Sequence, residues 1–143
     1  MRWRFIIAFI PAFIAQPSCV PARGAVVSVA QVVDAIAHKG DQIDAVTVDV
    51  CHKAESAAAD IPDLRDAELA VMRIREACDK AFAAVDVTAE AIARVDAVME
   101  KVETGELSVD DLAGAAIKAR QAFEKAQVAH DDLREVLEQE ASK

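Results

Sequence analysis

The chain has 143 residues, a formal net charge of −9 and a composition that is 54% hydrophobic but only 4% aromatic, with alanine prominent among the apolar residues. An acidic surface excludes the clustered Lys and Arg that nucleic acid requires and opposes anionic lipid. The length allows one domain with a modest core, and so few large side chains favour close helix packing over a roomy ligand pocket.

Residues 1–22 read as a secretory signal. Arg2 and Arg4 form a basic start, an apolar run follows over 5–15, and a polar, proline-bearing segment leads to Val20 and Ala22. Small residues at those two positions suit cleavage after Ala22. The apolar run has 11 residues and contains Pro11, whereas a membrane span needs roughly 20. Residues 5–22 carry no charge, so an uncleaved anchor is the alternative. Cleavage would remove Arg2 and Arg4 and take the net charge from −9 to −11.

Cys19 follows Ala15, Gln16, Pro17 and Ser18. This stretch resembles a bacterial lipoprotein signal in having a small residue, Ser18, next to the cysteine. It departs from that pattern at Gln16, where such signals carry an aliphatic residue. The resemblance covers four residues and makes Cys19 a candidate for lipidation.

The remainder, 23–143, is expected to form one helical bundle domain. Ser28 with Gln31 three residues on predicts a capping box at the start of the first helix. From there Val29, Val33, Ile36, Gly40, Ile43, Thr47, Val50, Ala54, Ala57 and Ile61 alternate steps of four and three. This seam passes through Gly40 in phase, which predicts one continuous helix, although His38-Lys39-Gly40-Asp41 also resembles a helix end and a new N-cap. Val46 to Val50 alternates like a strand, but no partner strand is visible elsewhere, and helix is the better reading.

Asp60-Ile61-Pro62-Asp63 interrupts the pattern, since proline has no amide hydrogen to donate and biases Ile61 away from helical angles. Asp63 then caps the second helix. Its seam is the longest in the chain: Val71, Ile74, Cys78, Ala81, Val85, Thr88, Ile92, Val95, Met99 and Val102, stepping three and four without a break. A second apolar flank, Ala70, Ala77, Ala84, Ala91 and Val98, lets more than one neighbour pack against it. Gly105 is a natural left-handed C-cap residue, Ser108 with Asp111 forms the next capping box, and Leu107 with Leu112 occupies the positions of a hydrophobic staple. The last helix carries Leu112, Ala115, Ala119, Ala122, Ala126, Ala129, Leu133 and Val136 on one face, widened by Ala116, Phe123, His130 and Leu137.

Short turns force neighbouring helices to run antiparallel. The expected fold is therefore all-α: an up-down-up bundle of three long helices with coiled-coil-like packing, or four helices if Gly40 breaks the first.

Once residues 1–22 are removed, Cys51 and Cys78 are the remaining cysteines, and an exported thiol pair tends to oxidise. A bridge between them ties the first helix to the second. Their midpoint predicts a turn over 61–65, with Cys51 one position off its own seam. Free buried thiols are the alternative. Asp49, Cys51, His52 and Cys78 are also candidate metal ligands by type. Against this, Cys51 and His52 are adjacent on a helix and point about 100° apart, so no metal site is assigned. His38 and His130 are expected near apolar faces. There is no glycine-rich phosphate loop, zinc-protease pair or serine elbow.

The functional expectation is a non-catalytic exported bundle of the cell envelope or periplasm, without cofactor, that binds a protein partner, self-associates or acts as a spacer. Contact with a membrane is expected only through the N-terminus, if it is uncleaved or acylated. The alternatives are a periplasmic metal-binding or metal-sensing bundle, and a membrane-tethered coiled coil such as a lipoprotein or phage lysis-like protein.

Overall fold

The computed structural model describes residues 22–143. Three α-helices follow one another, α1 (Ala22–Ala59), α2 (Leu64–Glu103) and α3 (Val109–Ala141), and the described residues contain no strand. Residues 1–21, which hold Cys19 and all of the signal-like segment but Ala22, lie outside the described residues. At 1.5 Å per residue, the 40 residues of α2 extend about 60 Å. The bundle is all-α and runs up-down-up. α2 packs against both neighbours, most extensively against α3, while α1 and α3 touch each other least.

Each helix end follows from local chemistry. Asp63 caps α2, its side chain accepting from the backbone amides of Arg65 and Asp66 at 2.9 and 3.1 Å. Gly105, at φ 78°, ends α2 in a Schellman motif: the Glu106 amide donates to the Lys101 carbonyl at 2.8 Å, and the Gly105 amide to that of Val102 at 3.1 Å. Ser108 and Asp111 form the capping box of α3, and the fully buried Leu112 packs in the same cluster as half-buried Leu107.

Two expectations for α1 need correction. The helix already runs at Ala22, the first described residue and six before Ser28, and Ser28 lies inside it. The cause is tertiary: Ala25 and Val26 are buried, and Val26 packs with Val33, Val95, Val102 and Leu112, so the apolar face extends through the supposed cap. The seam also shifts. Beyond Thr47 the buried positions are Cys51 and Ala58, and Ala57 is exposed. A straight α-helix drifts about 20° per heptad, and the consecutive four-residue steps from Ile43 to Thr47 to Cys51 correct that drift. Cys51 thereby occupies the core row. At Gly40 the helix is unbroken, so the described residues form three helices, not four.

In α2 the row Ile74, Ala81, Thr88, Val95 and Val102 is buried throughout. Val71, Val85, Ile92 and Met99 on the other row are half-buried, and Cys78 is the buried member of that row. The core divides along the rod into three clusters. Val26, Val33, Val95, Val102 and Leu112 anchor the end beside Gly105. Ile36, Ile43 and Phe123 fill the middle. The end beside Pro62 is built around Cys51, Ala58, Ala70, Ile74, Cys78, Ala81 and Leu133.

Candidate functional site

Cys51 on α1 and Cys78 on α2 are joined by a disulfide, with their Cα atoms 6.2 Å apart. The linker is shorter than the 61–65 turn expected from equal spacing: α1 ends at Ala59 and α2 begins at Leu64. Cys51 therefore lies eight residues from its end of the hairpin and Cys78 fourteen from the other, a stagger of about 9 Å. The first turn of α2 overhangs and absorbs part of it. Leu64 is 81% exposed, and Ala67 is the first buried residue of α2.

The bridge occupies both sulfurs of the candidate metal set, and a disulfide sulfur is not the thiolate that metals bind. His52 is exposed, and Asp49 holds the Lys53 ammonium at 2.8 Å. Among the described residues no group of three or more His, Cys, Asp or Glu side chains is placed to hold a metal ion. Cys19, the lipidation candidate, lies outside the described residues.

Of the two histidines expected near apolar faces, His38 is exposed and shares a 3.1 Å hydrogen bond with the Gln42 side chain. Its helix position is opposite the core row, which corrects that expectation. His130 is half-buried and meets Thr47 across the α1–α3 contact. Thr47 is wholly buried, and its hydroxyl donates to the Ile43 carbonyl at 2.7 Å. With that single proton committed, the 3.4 Å contact makes His130 Nδ1 the donor and the threonine oxygen the acceptor. A threonine so enclosed offers no nucleophile to an incoming substrate. The pair is a polar tie between α1 and α3. The sequence pattern placed both residues on core faces, but only the packing brought them together.

Two open grooves run along the rod. One lies between α1 and α3, about 1050 Å³ in volume, where Ile43, Val46 and Val128 are flanked by Gln42, Gln127, His130, Asp131 and Arg134. The other lies between α2 and α3, where Ala77, Ala129 and Val136 form the apolar part and Arg73, Glu76, Lys80, Asp132 and Glu140 the polar part. Hydrogen bonds from Lys143 and Arg73 hold the Glu140 carboxyl below its ordinary value, and Lys80 does the same for Glu76. Both effects are charge pairing on the surface: Arg73–Glu140 closes at 3.0 Å and Glu76–Lys80 at 2.8 Å. Neither groove gathers a nucleophile, a base and an oxyanion donor.

Among the described residues no helix is long and apolar enough to cross a membrane. No known protein family, curated protein or solved structure matches the chain.

Proposed function

We propose that this chain is an exported helical bundle of the cell envelope or periplasm that works without catalysis, by contacting a protein partner or by holding a distance. The observation that carries this reading is the Cys51–Cys78 bridge. Disulfides persist in oxidising compartments and are rare where glutathione and thioredoxin keep thiols reduced. The signal-like order of residues 1–22, with basic residues, an apolar run and small residues before Arg23, supports the same compartment independently. The shape supports the role. A rod with helices about 50–60 Å long and an alanine-rich interior suits spanning or lateral contact better than enclosing a substrate.

The test is the intact mass of the protein recovered from its host without reductant. A chain beginning at Arg23 and lighter by two hydrogens than the reduced form supports a soluble exported domain. A chain beginning at an acylated Cys19 moves the search to membrane-held partners, and an unprocessed N-terminus makes it an anchor. An unprocessed chain recovered from a reducing compartment, with three free thiols, overturns the proposal.

A further inference from the structure

The two halves of α1 are held in different ways. Between Ala22 and Ile43 the helix buries Val26, Val33, Ile36 and Ile43, four large aliphatic side chains spread over two clusters of the core. After Ile43 it buries only Thr47, Cys51 and Ala58. The valines of that half do not compensate, for Val46 is 49% and Val48 52% exposed. Val50 and Ala54 are only half-buried.

Local preference is also weak there. Val46, Thr47, Val48 and Val50 are β-branched and lose side-chain freedom in a helix, and Gly40 just before them adds backbone freedom. The other ties are slight. The Glu55–Arg75 ion pair, at 3.4 Å, sits on the surface where such pairs contribute little. The polar tie of Thr47 to His130 is long at 3.4 Å. Ile61, in the linker, is the half-buried aliphatic that follows. The strongest tie of this half to the bundle is the covalent one.

We infer that residues 44–59 form an arm latched to α2 by the Cys51–Cys78 disulfide and released when that bond is reduced. The arm lies over the cluster of Ile74, Ala81 and Leu133, and its release opens that end of the core. The reductant is a dithiol, either a small molecule or a thiol–disulfide exchange protein. One of its thiolates attacks a bridge sulfur to form a mixed disulfide, and its second thiol displaces the protein sulfur. Two electrons and two protons pass to Cys51 and Cys78, and the dithiol leaves as a disulfide. Both cysteines are buried, so attack goes through transient local fraying around the still-intact bridge, and full release of the arm follows reduction.

The experiment is hydrogen–deuterium exchange on the full chain carrying Cys19→Ser, with and without dithiothreitol, beside the Cys51→Ala/Cys78→Ala variant. Reduction is expected to speed amide exchange over 44–59 at least about tenfold more than in residues 22–36, α2 and most of α3, which lose only the protection that the weaker global fold costs them. The double variant should match the reduced protein without added dithiol, with far-UV circular dichroism confirming that the remaining helices persist. Exchange over 44–59 that rises no more than elsewhere in the reduced protein overturns the latch, because packing alone then holds the arm. A uniform loss of protection along the whole chain overturns it equally, because the bridge then supports the entire fold and no separate arm exists.

Discussion

Removing the bridge also has a global consequence whose size follows from the fold. Cys51 and Cys78 are 27 residues apart in sequence. Closing a loop of that length in the unfolded chain removes entropy worth about 3.5 kcal/mol at 25 °C in the chain-entropy account. The perturbation of choice is Cys51→Ala with Cys78→Ala, since both sites are buried and a lone thiol or a serine hydroxyl would introduce a new group into an apolar cluster. The folded unit covers residues 22–143. At about 2.1 cal/mol/K per residue, its unfolding entropy is about 0.25 kcal/mol/K, so the expected fall in Tm is about 14 °C. The assay is a thermal melt followed by circular dichroism, paired with a thiol titration of unreduced, denatured protein. With Cys19 present, that titration should find one thiol per chain. A fall in Tm of less than about 4 °C, together with three titrated thiols, refutes the bridge and with it the principal support for an oxidising compartment.

Three further outcomes are expected. The interior glycine Gly40 and the turn glycine Gly105 should respond with opposite sign: a Cβ at Gly40 meets nothing within 4 Å in a continuous helix, whereas Gly105 sits at φ 78°. Gly40→Ala should stabilise by about 0.5–1 kcal/mol and Gly105→Ala destabilise by about 1 kcal/mol, read from urea midpoints. Leu112→Ala should cost about 3 kcal/mol and Leu64→Ala less than about 0.5 kcal/mol, because the first is 0% and the second 81% exposed. Acid should weaken the fold. Backbone and side-chain hydrogen bonds from Ser108 hold the Asp111 carboxyl below its ordinary value, as Lys143 and Arg73 do for Glu140 and Lys80 does for Glu76. A carboxylate whose value is depressed on folding stabilises above its unfolded value and loses that contribution as pH falls through its folded one. The urea midpoint should therefore hold at neutral pH and fall below about pH 4, and Asp111→Asn should flatten the fall. An unchanged midpoint at pH 3 would contradict the pairing.

Much of this fold is legible in residue order because its determinants are local. The capping box of Ser108 and Asp111, the left-handed Gly105, the Asp63 cap and the uninterrupted seam of α2 each depend on residues within a turn or a few turns of one another, and each recurs in the structure. Short linkers then leave antiparallel packing as the only arrangement that buries three seams. The start of α1 was not legible. A Ser28–Gln31 pair has the chemistry of a cap, and what overrides it is the burial of Val26 in one cluster with Val102 and Leu112, residues more than seventy positions away. The candidate site behaves in the same way. Cysteine count and a hairpin turn point to Cys51 and Cys78, but the strict four-three alternation places Cys51 off the seam, and equal spacing places the turn too late.

Residue order alone thus determined an acidic, all-helical chain with three apolar seams, and where two of its turns lie. Those properties reside in side-chain chemistry and in the 3.6-residue period, which need no distant partner. Only the tertiary structure decided that Gly40 stays helical, that Cys51 turns onto the core row, that Thr47 meets His130, and that the second half of α1 is thinly packed. Each of these depends on the phase and stagger of one helix against another. A drift of about 20° per heptad, summed over five or more turns, is enough to exchange a buried position for its neighbour. That sum is set by the packing of the three helices together.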